Sequence, residues 1–180
     1  GNVTDEMKCR YTAVLRGNLR LAAARFPRGV GGTNLDILAR QFLWSEHQDF
    51  NHGTGHGVGY LLSIHEPACR FNWKSIEETI RPLEDGMIIT DEPGIYIEDS
   101  HGIRSENELL VRKDVMNEYG QFMEFETITM APIEICSEVG IYHDEIDQLI
   151  HGGYVSRLAH DILQFFSLYN RKRNRNQSPI

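Results

Sequence analysis

Three histidines and a run of glycines lie close together, in His52-Gly-Thr-Gly-His56-Gly-Val-Gly and at His65. Histidine is the commonest metal-binding side chain. Alternate glycines weaken a strand, so they indicate close approach of another backbone or of a ligand. On one regular strand His65 would face away from His56, so convergence of all three requires a turn, a bulge or a short helix. A lone histidine is more often an ordinary surface or core residue, but this cluster predicts a site.

Two glutamates, Glu92 and Glu106, follow in a segment with a hairpin pattern. Its two apolar runs and the turn-rich loop between them are residues 87–90, 108–111 and 98–102. If the turn is centred near Asp99, the glutamates lie directly opposite each other, which destabilises a sheet. A bound cation would make the same arrangement stabilising, because hard divalent metals prefer carboxylate oxygens. Arg104 shares strand parity with Glu106, so a structural ion pair is the competing explanation, and the pattern leaves both open.

The elements that must position these residues begin with two helices. Thr4 is the predicted cap of the first, whose apolar positions recur at helical spacing as far as Phe26, and Pro27 ends it. A second helix is predicted from Thr33 or Asn34, with one apolar face that covers a sheet. That face is Leu35, Leu38, Ala39, Phe42 and Leu43. From His52 onward, short apolar runs broken by glycine and proline predict antiparallel strands. Apolar spacing over 146–165 predicts a further helix.

Composition excludes several classes of protein. The 180 residues have a formal net charge of -8, which argues against a nucleic-acid binder. The basic run 171–175 is interpreted as a solvated tail, with partner binding as the alternative. Cys9, Cys69 and Cys136 show no paired spacing, so a reducing compartment is expected. We expect no membrane span and no signal peptide, and therefore a cytoplasmic protein.

Three motifs in this order resemble one family. They are His52-Gly-Thr-Gly-His-Gly-Val-Gly, Leu83-Glu-Asp-Gly-Met-Ile-Ile-Thr-Asp-Glu-Pro-Gly and Gly102-Ile-Arg-Ser-Glu-Asn. They resemble the pita-bread metallopeptidases of family M24, and within them the Xaa-Pro aminopeptidase branch. The resemblance implies an α+β fold, a curved antiparallel sheet with outer helices, truncated here at its N-terminal side. It implies a catalytic portion over 1–135 and a helical extension over 136–180, with a homodimer contact expected there.

The resemblance also implies a two-metal site, with manganese expected before cobalt or zinc. His56, Glu92 and Glu106 match the family's metal ligands, and Glu92 also matches the residue that moves the proton. His52 and His65 match the histidines that line the substrate pocket and act in catalysis. Arg104 matches a residue that orients this region and contacts substrate.

The departures from the family are specific. The two aspartate ligands expected from a strand hairpin before the first helix are absent from this sequence, as is a third pocket histidine. The resemblance therefore implies weak or single metal binding and little activity for this chain alone.

The expected function is hydrolysis of the bond between an N-terminal residue and a penultimate proline, with a peptide as the partner. The alternative is a degenerate pita-bread module that binds a peptide or protein without catalysis. Prolidase or methionine aminopeptidase specificity is a weaker expectation, because the motif spacing and the C-terminal tail resemble the Xaa-Pro aminopeptidases.

Overall fold

The chain begins with two helices and continues as antiparallel strands. Its structure is a computed structural model, which describes residues 3–74 and 81–131. The helices are α1 (Asp5–Ala22) and α2 (Gly32–Ser45). The strands are β1 (Arg25–Pro27), β2 (Gly55–Gly57), β3 (Glu66–Phe71), β4 (Ile88–Asp91), β5 (Gly94–Ile97), β6 (His101–Arg104), β7 (Asn107–Asn117) and β8 (Gly120–Thr127). Within these residues every strand pairing is antiparallel, as predicted.

Six strands form one sheet in the order β1-β8-β7-β4-β2-β3, and β5 pairs with β6 in a short ladder of its own. The two ladders continue one hairpin, since Ile88 pairs with Leu110 and Ile97 pairs with His101. Both pairs are centred on Asp99, which has the positive φ of 55° of a tight turn. The predicted hairpin and the centre of its turn are confirmed.

Helix α1 begins as predicted but ends earlier. The Thr4 hydroxyl oxygen accepts a hydrogen bond from the Met7 amide, 3.2 Å away, which caps the helix. The helix ends at Ala22, so the prediction that it extends to Phe26 is wrong. Phe26 instead pairs with Met123 in the sheet, and its ring centroid lies 5.1 Å from that of Phe125. Long-range strand pairing therefore overrides the helical spacing of the local sequence.

Helix α2 begins at Gly32, one residue before Thr33, the earlier of the two predicted starts. The Gly31 amide donates to Asn34 Oδ1 at 3.2 Å, which satisfies a donor ahead of the first turn. The buried apolar residues of the predicted face are Leu35, Ala39 and Leu43, whereas Leu38 and Phe42 are half-buried. Leu35 and Ala39 share one core with sheet residues such as Phe71 and Phe125, so the helix covers the sheet as expected.

Several predictions lie outside the described residues: the helix over 146–165, the extension over 136–180 and the basic run 171–175. The predicted boundary at residue 135 stays a prediction. Among the described helices, none combines the length and the apolar character that crossing a bilayer requires.

Candidate active site

Close packing at Gly55 places the histidine segment against the sheet. A side chain at this position would overlap the carbonyl oxygen of Thr90, so only glycine lets β2 and β4 approach this closely. The neighbouring His56 amide donates to Thr90 Oγ1 at 3.0 Å. The expectation that these glycines mark close backbone approach is confirmed at Gly55.

The three histidines converge, although not on one regular strand. The pairing of β2 with β3 shifts register after His56, and Leu61 and Leu62 then turn the chain with positive φ values of 48° and 66°. The ring centroids of His56 and His65 end 4.4 Å apart. The predicted bulge or turn between them is therefore confirmed.

Two of the predicted ligands, His56 and Glu92, are in contact, with 3.3 Å between Nε2 and Oε1. His56 Nδ1 lies 2.9 Å from the carbonyl oxygen of Gly57. A carbonyl only accepts hydrogen bonds, so Nδ1 carries the hydrogen and Nε2 of the neutral ring keeps its lone pair. Glu92 is buried, and its Oε1 also accepts from Thr90 Oγ1 at 3.1 Å. Nitrogen and oxygen lone pairs thus face the same small space, a donor set that suits a divalent cation.

The other oxygen of Glu92 pairs with Arg104, whose Nη1 lies 2.9 Å from Oε2. Arg104 Nε in turn donates to Tyr96 Oη at 2.6 Å. Partial burial opposes the charge of Arg104, but the Tyr96 hydrogen bond and the negative charges of Glu92 and Glu106 raise its pKa. The ion pair considered for Arg104 is therefore present, with Glu92 as its partner.

Tyr96 links Arg104 to the remaining histidine. The distance between Tyr96 Oη and His52 Nε2 is 3.1 Å, and His52 Nδ1 lies 2.7 Å from the Gly53 carbonyl oxygen. Because Nδ1 donates to that carbonyl, Nε2 of the neutral ring accepts from the tyrosine hydroxyl. The sequence motifs did not identify Tyr96, because a lone tyrosine in a strand has no pattern that marks it.

Together these contacts form one polar chain, which runs His65, His56, Glu92, Arg104, Tyr96, His52. Of the predicted site residues, only Glu106 stands outside it. Glu106 is exposed, and it acts on the chain through its charge near Arg104. In residues 3–74 and 81–131, no group of three or more His, Cys, Asp or Glu side chains could hold a metal ion. The three-ligand set of His56, Glu92 and Glu106 remains a prediction.

Glu92 and Glu106 fall in the gap between the β4–β7 and β5–β6 ladders. Asn18 on α1 spans this gap, because its Nδ2 donates to the main-chain oxygens of Asp91 at 2.9 Å and Ser105 at 3.5 Å. Its Oδ1 accepts from Asn107 Nδ2 at 2.7 Å. Asn18 was not predicted, although an amide between the apolar positions of α1 is the signal that could have identified it.

Asp91 lies within the second motif, but the sequence analysis assigned it no role in the site. Its side chain is fully buried, and both carboxyl oxygens are without a hydrogen-bond partner. Burial raises the pKa of this carboxyl well above its usual value, the nearby Asn18 amide opposes the shift, and the charges of Glu92 and Asp36 add to it.

Comparisons with known proteins agree on the family and the fold. Residues 1–113 match the family described as Metallopeptidase family M24. The chain is 44% identical over 135 residues to the Probable Xaa-Pro aminopeptidase P of Botryotinia fuckeliana, covering 73% of this chain and 20% of the relative. It is 39% identical over 167 residues to the protein of the same name from Tuber melanosporum, covering 84% and 27%.

Two solved structures show the same fold. An X-prolyl aminopeptidase from Caenorhabditis elegans, described as a cytosolic enzyme with a di-nuclear active site, matches with a TM-score of 0.72 and 32% identity, over 92% of this chain and 26% of that one. A prolidase from Pyrococcus furiosus matches with a TM-score of 0.59 and 30% identity, over 74% and 35%. The predicted pita-bread fold is confirmed. The chain spans about a fifth to a quarter of the length of the curated relatives.

Proposed function

The chain belongs to metallopeptidase family M24, and from that premise we propose that it forms part of an Xaa-Pro aminopeptidase. Such an enzyme hydrolyses the bond between an N-terminal residue and a penultimate proline. The names of the fungal relatives support this substrate class. The observation that carries the proposal is the pair His56 and Glu92, which direct a nitrogen and an oxygen lone pair into one space. A binding module without catalysis is not favoured, because these relatives carry the names of enzymes.

The donor set fits a divalent metal, and the di-nuclear site named for the nematode structure supports a pair of ions. We propose manganese before cobalt or zinc. When bound, such ions lower the pKa of a coordinated water and polarise the scissile carbonyl. The residues proposed to hold them are His56, Glu92 and Glu106. Donation from His56 Nδ1 to the Gly57 carbonyl would fix the tautomer that leaves Nε2 available as a ligand.

The remaining site residues receive roles that follow from their contacts. Glu92 is proposed to hold the transferred proton, since it is buried and Arg104 orients it through its other oxygen. His65 is exposed beside His56, so it is accessible to a peptide. His52 is held by Tyr96 at the opposite end of the polar chain. His52, His65 and Arg104 are therefore the proposed contacts to substrate and to the negative charge that develops on its carbonyl.

For this chain alone we propose weak or single metal binding and little hydrolysis. Among the described residues His56 and Glu92 lie 3.3 Å apart, and no group of three or more His, Cys, Asp or Glu side chains could hold a metal ion. A cation held by few carboxylates has little opposing charge and depends on water for its other ligands.

Manganese binding to the 180-residue chain tests the proposed ligands without requiring activity. We expect at most one ion per chain, measured by the loss of the electron paramagnetic resonance signal of free manganese. His56→Ala and Glu92→Gln should each weaken binding by about tenfold or more. His101→Ala is the matched control, because His101 contacts Ser100 in the hairpin turn. Equal binding by all four proteins would overturn the ligand assignment.

The substrate class is tested in a polypeptide that carries this sequence at the full length of its relatives. We expect manganese-dependent release of the N-terminal residue from an Xaa-Pro peptide, and little release from the same peptide with alanine in place of proline. Glu92→Gln should lower kcat by about a hundredfold or more, the usual contribution of a general base. Equal cleavage of the two peptides would contradict the proposed specificity. Efficient release by the 180-residue chain would contradict the proposal that its site is incomplete.

We further propose a cytoplasmic location and a peptide partner, supported by the nematode enzyme described as cytosolic. The homodimer remains a prediction.

A further inference from the structure

Helix α2 carries a charged pair inside the protein. Asp36 is 0% exposed and Arg40 is 1% exposed, and they lie one turn apart on the helix. Removing two charges from water is costly, and the attraction between them offsets that cost only when further hydrogen bonds satisfy both groups. The partners of this pair therefore indicate what it does beyond joining two turns of a helix.

Arg40 uses its guanidinium to hold the segment that leads to His52. Its Nε donates to Asp36 Oδ2 at 2.6 Å, and its Nη1 donates to Asp49 Oδ1 at 2.7 Å and to the Phe50 carbonyl at 2.8 Å. Its Nη2 donates to the carbonyl of His52 at 2.7 Å. The guanidinium also lies over the Phe50 ring, 3.8 Å from its centroid, and that ring packs 4.7 Å from the His52 ring. Arg40 thus fixes both the backbone and the packing surface of His52.

Asp36 holds the next part of the same segment. Its Oδ1 accepts a short hydrogen bond from the Thr54 hydroxyl, and its Oδ2 accepts from the Trp73 amide at 3.1 Å. The Thr54 carbonyl in turn accepts from the Glu92 amide at 2.7 Å. The carboxylate is therefore connected, through one residue, to the backbone of the proposed proton carrier.

We infer that Asp36 and Arg40 are positioning residues that fix His52 and Glu92 with respect to each other, Arg40 through the 49–52 backbone and Asp36 through Thr54. His52 and Glu92 belong to the same polar chain, with Arg104 and Tyr96 between them. One rigid pair on α2 thereby sets the spacing across the site. The catalytic meaning of this spacing rests on the proposed function, whereas the positioning does not.

Two substitutions in the 180-residue chain test the contacts of Arg40 and those of Asp36 separately. Arg40→Lys keeps the positive charge beside Asp36, but a single ammonium cannot serve all four acceptors of the guanidinium. We expect the nitrogen-15 spectrum of the His52 ring to change from one tautomer, with the hydrogen on Nδ1, to a mixture. Thr54→Val removes the hydroxyl that bonds to Asp36 and preserves the shape. We expect the Glu92 amide to exchange its hydrogen about tenfold faster in that variant.

A reference amide distinguishes positioning from general stability. The Val111 amide donates to the Met87 carbonyl at 2.9 Å in the same sheet, outside the hydrogen bonds made by Asp36 and Arg40. Its exchange should stay within about twofold of the wild type in both variants. The matched control is Arg112→Lys, the same substitution in an exposed pair with Glu126, and it should leave every readout unchanged.

Three outcomes would overturn the inference. The first is an equal acceleration of hydrogen exchange at the Glu92 and Val111 amides. The second is the absence of any change both in the His52 ring spectrum and in Glu92 exchange, and the third is the appearance of the same changes in Arg112→Lys. If Arg40→Lys does not fold, Asp49→Ala tests the same Arg40 contacts, because it removes one partly exposed acceptor of Arg40. None of these measurements needs metal or substrate. A failure of the peptidase proposal would therefore leave them intact, and their failure would leave peptidase activity untouched.

Discussion

At the scale of single residues, two histidines make the same local hydrogen bond. His52 Nδ1 donates to the Gly53 carbonyl at 2.7 Å, and His56 Nδ1 donates to the Gly57 carbonyl at 2.9 Å. In each case the acceptor belongs to the next residue, which is glycine. Each hydrogen bond selects the tautomer whose Nε2 keeps a lone pair directed to the site. The repeated His-Gly pairs in the sequence thus have a chemical meaning that their spacing did not reveal.

Cys69 gives a prediction that depends on pH. Burial raises the pKa of this thiol to about 11, so at pH 8 only roughly one molecule in a thousand carries the reactive thiolate. We expect iodoacetamide at pH 8 to modify the exposed Cys9 much faster than the buried Cys69, as measured by peptide mass spectrometry. Raising the pH to 10 should accelerate modification of Cys69, because the thiolate fraction grows as the pH approaches its pKa. Urea serves as the control, since unfolding should remove the difference, and similar rates in the folded protein would contradict the prediction.

At the scale of elements, the sequence predicted local pairing better than element ends. The hairpin centred on Asp99 follows from alternating apolar runs and a turn-rich loop, both of which are local signals. The end of α1 does not, because Phe26 fits the helical period yet belongs to a strand that pairs with residues about a hundred positions later. The start of α2 depends on backbone capping at Gly31, which shifts it by one residue.

The two helices approach each other so closely at Gly17 that replacing this glycine by alanine should lower stability rather than raise it. In an exposed helix, replacing glycine by alanine stabilises the fold by about 1 kcal/mol. At Gly17 of α1, however, a Cβ would overlap the carbonyl oxygen of Ala39 on α2, and a backbone atom cannot move aside cheaply. We expect Gly17→Ala to destabilise the protein by about 1–3 kcal/mol in urea unfolding. The control is Arg20→Ala, at an exposed position of the same helix, which should change stability by less than about 0.5 kcal/mol. A gain in stability for Gly17→Ala would show that the helices separate easily.

At the scale of the whole molecule, the residues that assemble the site are those that the sequence did not mark. Asn18 contacts residues 73 and 89 positions away, and Arg40 reaches the loop that carries His52. Such polar side chains satisfy backbone groups of distant elements, and no local period or motif encodes that requirement. The motifs could therefore identify His56 and Glu92 as candidate site residues. Only the fold shows that α1 and α2 hold them in place.

The apolar core couples the two edges of the main sheet through Phe125. Its ring centroid lies 5.1 Å from that of Phe26 on β1 and 5.8 Å from that of Phe71 on β3, the first and last strands in the sheet order. Phe125 is 0% exposed, so Phe125→Ala leaves a cavity between these strands. We expect a loss of about 3–5 kcal/mol in the free energy of unfolding, measured by urea titration.

A control variant in the same hairpin distinguishes the loss of core packing from the loss of any aromatic ring. Tyr119 lies between β7 and β8 and is 79% exposed, so Tyr119→Ala should change stability by less than about 0.5 kcal/mol. The consequences of Phe125→Ala should reach the site, because β3 and β4 both flank the strand that carries His56. Manganese binding by the 180-residue chain should therefore weaken in Phe125→Ala and stay unchanged in Tyr119→Ala. If Phe125→Ala lost stability but bound manganese as the wild type does, the sheet core would be energetically separate from the candidate site.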